Sequence, residues 1–217
     1  PYVLGVWLGD GHSANPCITI GERKQHIKQI FADKGVELRQ YTYHSDTAEC
    51  LAFTRQGYRA KLRELGVLNN KHIPLVYLRA SIEQRIDLLR GLMDTDGFNA
   101  GTKTGTAVGI DLMNEQLATG VIELIRSLGV RCSVSKERTY LNGEDAGPRW
   151  RMVFNPTFDP FTPGSVKSLE RPEQDAQSSR KTVRTIVDVV PVPTEPTQCI
   201  EVDSESHMYL VGEHMVP

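Results

Sequence analysis

What is scarce in this chain narrows the field first. Its 217 residues hold only four cysteines, Cys17, Cys50, Cys132 and Cys199, with no C-x-x-C pair among them. That spacing argues against a structural zinc site and against a disulfide scaffold, and a reducing cytoplasm is the simplest compartment. No apolar run approaches the roughly 20 residues of a membrane span, so no membrane partner is expected. No secretory pattern opens the chain. No G-x-x-x-x-G-K-[ST] occurs, which excludes a P-loop nucleotide site from these residues. Positive charge is not in excess either: 25 Lys and Arg stand against 27 Asp and Glu, a net charge of -2. Hydrophobic content of 39% and charged content of 24% are ordinary for a globular protein. The length fits one large domain or two small ones. The chain opens directly on PYVLGVWLGDG, as expected of a segment cut out of something longer.

The small net charge hides an asymmetry. Residues 182–217 hold one basic residue, Arg184, and six acidic ones, Asp188, Glu195, Glu201, Asp203, Glu205 and Glu213. The remaining 24 basic and 21 acidic residues give residues 1–181 about +3, against about -5 for the tail. Two units of different origin are implied, the first of which can meet a nucleic acid.

What is present is a degenerate repeat. VLGVWLGDG (3–11) and LRGLMDTDG (89–97) align without gaps, sharing Gly5/Gly91, Asp10/Asp96 and Gly11/Gly97. A β-prone stretch follows each copy (PCITI; TGTAVGIDL), then a helical run (ERKQHIKQIFADKG; NEQLATGVIELIRSLG), then another strand (VELRQYTY; VRCSVSK). Both helical runs stop at Gly-Val, the glycine lying where a C-terminal cap belongs. Asn114 is the expected N-cap of the second. Each half reads helix, strands, helix, strand, which predicts a duplicated α+β unit. Residues 155–180, rich in Pro, Ser and charge, have the composition of a loop or linker. The β-branched runs TIVDVV, CIEV and MYLVG after them predict a separate, all-β tail.

Placed on a helix, Gly5 and Gly9 share one face, as do Gly91 and Thr95. Small residues at that spacing let two helix backbones approach closely. If the two copies pack together, Asp10 and Asp96 emerge side by side, and Gly11 and Gly97 let the chain leave sharply. Carboxylates at helix C-termini oppose the macrodipole, and two at one interface repel unless a cation is shared. Mg²⁺, which prefers oxygen ligands and keeps several waters, is the expected occupant. So placed, it can orient a water nucleophile and stabilise the leaving oxygen of a phosphodiester. DTDG also echoes a calcium loop, but the further ligand positions of an EF-hand are missing.

The two copies resemble the LAGLIDADG motif of homing endonucleases, and their arrangement resembles the single-chain, pseudo-dimeric members. The resemblance covers about residues 1–180, with halves of about 1–80 and 81–180. It implies paired central motif helices, saddle-shaped β-sheets lying over the DNA major groove, a monomer, and metal-dependent double-strand cleavage of a specific DNA site. It assigns the metals to Asp10 and Asp96. One departure stands out: the motif's sixth position is Asp94 in the second copy but Leu8 in the first, which lowers Asp94 in rank. NKHIPLVYL (70–78) resembles the K-x-I-P block of intein-borne members, which implies a catalytic role for Lys71. The matching lysine of the second half is Lys167 in GSVKSLERP, with Lys181 as the alternative. A lysine there can activate water or stabilise developing charge. Sequence readout is expected from basic side chains near the strands, with Arg39, Lys103, Arg131, Arg149 and Arg151 as candidates.

The tail, 181–217, resembles the last part of an intein splicing (Hint) domain. His207 in SHMYLVG matches its upstream histidine, allowing one inserted residue. The terminal His-Asn and the N-terminal splicing half are not among these residues, so this fragment alone is not expected to splice. Its implied partners are that N-terminal half and the host exteins. Cys199 stands where many inteins have aspartate, as in class 3 inteins, where the cysteine is a nucleophile. The alternative is a half-buried strand cysteine, with the acidic Glu201 and Asp203 nearby counting against a nucleophile. C-I-x-V-D tails of this kind resemble those of inteins in bacterial replicative helicases. The rival expectations are a DNA-binding relic of the same fold that no longer cuts, and a fragment of an intein-containing helicase precursor.

Overall fold

The computed structural model describes residues 1–45, 48–54, 57–101, 106–169, 187–203, 205–207, 209 and 212. In the first half, α1 (Tyr2–Asp10) leads to β1 (Cys17–Gly21), a 3-10 turn (Glu22–Lys24), α2 (His26–Asp33), β2 (Leu38–Ser45), β3 (Ala48–Phe53) and α3 (Tyr58–Glu64). A short α4 (Leu75–Leu78) precedes α5 (Ile82–Asp96). The second half continues with β4 (Gly97–Asn99), β5 (Val108–Leu112), α6 (Glu115–Ser127), β6 (Cys132–Leu141), β7 (Glu144–Phe154) and α7 (Val166–Leu169).

Two antiparallel sheets result, of order β1-β3-β2 and β4-β5-β7-β6. Their pseudo-symmetry is closer than strand numbers suggest. An isolated bridge joins Gly11 to Ile18, as β4 joins β5 through Gly97 and Ile110. The first sheet therefore keeps a single-residue trace of the fourth strand that the second sheet forms in full. The fold is α+β, and both halves share the expected order of elements.

Local chemistry explains where elements start and stop. Ser81 accepts from the Gln84 amide and Gln84 answers back, a capping box that starts α5. Asn114 caps α6 through the Leu117 amide at 2.9 Å. Gly35 and Gly129 end their helices at φ +68° and +74°, the left-handed conformation that favours glycine. Asn142 and Gly143, both at positive φ, turn β6 into β7 in the two-residue manner suited to twisted hairpins.

One core spans both halves, and α1 and α5 run through its middle. Val6, Trp7, Leu8, Leu88, Leu89, Leu92 and Met93 are each 1% exposed or less. A helix apolar on nearly every side belongs inside a protein. The outer faces of the sheets are turned from this core. Along β7, Trp150, Met152 and Phe154 are buried while Arg149, Arg151 and Val153 alternate with them on the other face.

The tail differs from expectation. Residues 187–203 lie in neither helix nor strand, so the strands expected from the CIEV run and the end of TIVDVV do not form among the described residues. Val187, Val189, Val190 and Val192 are 95%, 83%, 66% and 76% exposed. Strand propensity is realised only when a neighbouring strand accepts the hydrogen bonds and a face is buried, and these residues have neither. No helix of the described residues is long and apolar enough to cross a membrane.

Candidate active site and nucleic-acid interface

The site begins with how close α1 and α5 come. A Cβ on Gly5 would lie 2.3 Å from the Leu88 carbonyl oxygen, and one on Gly91 would lie 2.3 Å from that of Tyr2. At Gly9 a Cβ would fall 2.0 Å from the Thr95 hydroxyl, which itself donates to the Gly91 and Leu92 carbonyls. The helices thus meet backbone to backbone at Gly5 and Gly91, and the Gly9 backbone meets the Thr95 side chain. Gly11 and Gly97 serve differently from the expected sharp exit. Both have ordinary extended backbone, and their side chains are excluded by lack of room: a Cβ on Gly11 would meet the Trp7 carbonyl at 2.2 Å, and one on Gly97 that of Met93 at 2.6 Å.

This packing brings Asp10 and Asp96 together at the helix ends. Burial, and the Asp10 carboxylate next, push the Asp96 carboxyl above the usual range, although Lys24, Lys71 and Lys167 pull it back. The two lysines singled out in sequence stand at these same ends. Lys71 Nζ donates to the Gly9 and Gly11 carbonyls at 3.1 and 2.6 Å. Lys167 Nζ donates to those of Met93, Asp94 and Thr95 at 2.9, 2.9 and 3.1 Å. Each ammonium therefore sits on carbonyls at the end of one motif helix and opposes the negative end of its dipole. Both lysines are lowered, first by burial, and Lys167 falls to about 8 with help from nearby Lys24. Each also lies over an aromatic ring, Trp7 at 5.4 Å for Lys71 and Phe161 at 5.9 Å for Lys167.

A third lysine was not foreseen. Lys24, in the turn after β1, places Nζ 2.6 Å from Asp10 Oδ2. With Arg23 and Lys167 it lines a cleft of about 400 Å³ beside Thr95 and Gly97. Nothing in the local pattern GERK marks it, because its partner is fourteen residues away and meets it only through the turn of the sheet.

Asp94 has another role. It is fully buried, and accepts from the Tyr2 hydroxyl at 2.8 Å, the Thr162 amide at 3.1 Å and the Thr162 hydroxyl at 2.5 Å. Burial alone would raise its pKa, but His26, Thr162 and Tyr2 together outweigh burial and hold the carboxyl below its ordinary value. His26 Nε2 lies 3.6 Å away, too long for a hydrogen bond, so Tyr2 and Thr162 carry the bonding and the imidazole acts by proximity. Asp94 joins α1, α5 and the segment after β7; Leu8, its counterpart, is simply buried in the core.

The candidate DNA-contact residues are scattered. Arg39 on β2 and Arg131 before β6 are exposed. Arg149 and Arg151 share the outer face of the second sheet and are paired there. Arg149 meets Glu137 at 2.6 Å and Asp111 at 3.3 Å, and Arg151 chelates Asp111 with two bonds of 3.0 Å. Asp111 and Glu137 carry no sequence signal of their own; only strand register brings them opposite the arginines. Lys103 and Lys181 lie outside the described residues. In the tail, Cys199 is exposed, so it is not a half-buried strand cysteine. His207 Nδ1 lies 3.2 Å from the Val202 carbonyl and 3.3 Å from Glu201.

Residues 72–149, from the segment before α4 into β7 and including Asp96, match the homing endonuclease family model. Over all 217 residues the chain is 39% identical to the replicative DNA helicase DnaB of Mycobacterium intracellulare, and it spans 34% of that protein. Among solved structures, mesophilic variants of the homing endonuclease I-DmoI are 17% identical at a TM-score of 0.47, covering 71% of this chain and 81% of theirs. I-DmoI in complex with DNA and Mn matches at 17% identity and TM-score 0.46, covering 71% and 87%. The N-terminal LAGLIDADG domain of DUF199/WhiA matches at 8% and 0.41, covering 71% and 76%.

Proposed function

We propose that this chain is a site-specific double-strand DNA endonuclease of the homing type, carried within an intein of a replicative helicase precursor. The observation that carries the reading is the pair of carboxylates, Asp10 and Asp96, held together at the ends of two glycine-packed helices with one half-buried lysine at each end. The match of residues 72–149 to the homing endonuclease model supports it.

Asp10 and Asp96 fit a hard divalent cation, Mg²⁺ in the cell. Proximity to Asp10 and burial both disfavour a charged Asp96, and a shared cation would offset both. Among the described residues no group of three or more His, Cys, Asp or Glu side chains converges, so the remaining ligands would be water and phosphate oxygens, the pattern usual for Mg²⁺. The cation supplies charge stabilisation and an activated water at the phosphodiester. The chain's own contribution is positioning. Helices α1 and α5 fix the two carboxylates, while the Lys71 and Lys167 ammonium groups, anchored on helix-end carbonyls, face the charge that develops on each scissile phosphate. Lys24, paired with Asp10, adds a further positive charge to the cleft it lines, and would be released from that carboxylate if Asp10 held a cation. The outer faces of the two sheets, with Arg39, Arg131, Arg149 and Arg151, lie against the DNA.

The tail is read as the end of a splicing domain, with Cys199 as its nucleophile and His207 as its assisting histidine. The 39% identity over a third of a helicase supports that context. Helicase chemistry does not reside in these residues, which contain no P-loop sequence.

The test is cleavage of DNA carrying the uninterrupted host-gene insertion site, with Mg²⁺ or with EDTA. Site-specific double-strand cutting with Mg²⁺ that disappears in Asp96→Asn supports the enzyme. Sequence-specific binding without cutting at any metal concentration would establish a binding module instead. For the tail, Cys199→Ala in the intein with both of its splicing ends is decisive: unimpaired splicing would exclude it as the nucleophile.

A further inference from the structure

We propose that Arg151 reads a guanine in the half of the DNA site covered by the second sheet, with Asp111 as its positioning residue; the inference rests on the endonuclease reading above. Arg151 and Asp111 are direct cross-strand partners on β7 and β5, and both side chains stand on the outer face. Arg151 Nε and Nη2 each donate to one oxygen of the Asp111 carboxylate at 3.0 Å. A guanidinium has five N–H donors. Two are engaged here, and the rest, on the edge away from Asp111, form the fork that matches guanine O6 and N7.

Three further features hold that fork in place. The guanidinium lies 5.3 Å from the centre of the Phe98 ring, which fixes its plane from one side. Asp111 is also met by Arg149 at 3.3 Å, so the carboxylate cannot swing away with Arg151. Glu137 in turn holds Arg149 at 2.6 Å. The patch is charge-balanced, two arginines against two carboxylates. It adds little general attraction for phosphate and spends its geometry on orientation, which favours specificity over affinity. Arg151 is 39% exposed, so its free edge is accessible.

The location follows from the chain. Phe98 lies two residues beyond Asp96, about 7 Å of strand, and Arg151 stands over its ring. With base steps of about 3.4 Å, the guanine falls within roughly four base pairs of the cut. Among the described residues the first sheet shows no arginine chelated by a carboxylate. Its outer face places Cys17, Cys50 and Ala52 together as a small apolar cluster, with Arg39 exposed opposite Ala52.

The experiment is competition binding of the full chain to the host-gene insertion site, with every base pair substituted in turn. The parent chain should prefer guanine by about 10-fold or more at one position close to the cut, in one half only. Arg151→Ala should reduce that preference below about 2-fold and leave other positions unchanged. Arg151→Lys, which keeps the charge but not the fork, should do the same with total affinity retained. Asp111→Asn should relax the same position while binding random DNA equally or more tightly, because it removes a negative charge facing phosphate; a merely structural role would not give that pairing. A guanine preference that survives in Arg151→Ala overturns the inference, as does a parent chain that cuts its site with no guanine preference near the cut. A parent chain with no sequence-specific binding overturns this inference and the endonuclease reading together.

Discussion

Asp94 and Asp96 stand two residues apart on one helix and meet opposite surroundings. Asp94 has three hydrogen bonds and no exposure, and its pKa is held low; Asp96 is pushed up by burial and by Asp10. Because the folded-state pKa of Asp94 is depressed, its contribution to stability is present above about pH 4, the unfolded value, and is lost as pH falls through the folded one. Asp94→Ala leaves the Tyr2 hydroxyl and the Thr162 amide without their acceptor and should cost about 3 kcal/mol or more, read as a lowered urea midpoint. Asp96→Asn removes a half-buried, partly repelled charge and should leave that midpoint unchanged or raised while abolishing Mg²⁺-dependent cutting. Lys167 is shifted well down toward neutrality. Burial, then Lys24, lowers it to about 8, so its ammonium fraction falls as pH rises through that value. Single-turnover cutting at saturating Mg²⁺ should therefore decline on the alkaline side, with a break at or above about 8, since bound phosphate favours the ammonium. The stability contribution of this lysine runs the other way. Its charged form is disfavoured by folding, so stability rises as pH climbs from about 8 toward its unfolded value near 10.4. A loss of activity in that range accompanied by equal unfolding would contradict the assignment.

Among the elements, α1 and α5 carry the tightest constraint. Their contact has no space for even a methyl group: at Gly5 and Gly91 the atoms in the way are backbone, and at Gly9 they are the side chains of Thr95 and Asp96. Gly91→Ala should destabilise by about 3 kcal/mol, a fall in melting temperature of roughly 6–12 °C for a chain of this size, and should separate Asp10 from Asp96 even where the fold survives. Gly35→Ala is the comparison, with nothing within 4 Å of its Cβ. Its cost should be that of positive φ alone, about 1–2 kcal/mol, and Mg²⁺-dependent cutting should persist. These glycines were visible in sequence because the repeat aligned them; that Gly11 and Gly97 are needed for room rather than for a turn was not, since only the return of Trp7 and Met93 over them closes the space.

Over the whole molecule, the charge division has a mechanical consequence. The tail carries about -5 against about +3 for the rest. Removing residues 182–217 should tighten binding to random DNA, most at low salt, where unscreened charge acts furthest. Equal affinity with and without the tail across a salt series would show that the tail stands clear of the DNA-facing surface. The tail also marks the limit of propensity. Its β-branched runs read as strands, yet residues 187–203 form none, because a strand is completed by its neighbours and these apolar side chains remain exposed.

The sequence by itself determined whatever depends on period and identity along the chain: the repeat at an 86-residue offset, the glycine faces of two helices, the helix cap at Asn114, the α+β order of each half, and the alignment of Asp10 with Asp96. Local sterics and backbone hydrogen bonding decide these, and both are written within a few residues. Only the tertiary structure decided that Lys24 reaches Asp10, that Tyr2 and Thr162 close over Asp94, that Lys71 and Lys167 lie on the helix-end carbonyls, and that Asp111 grips Arg151. Each of these joins residues brought together by sheet register or by the path of a loop. Contact across such distances is fixed by how the layers pack, which no local pattern encodes.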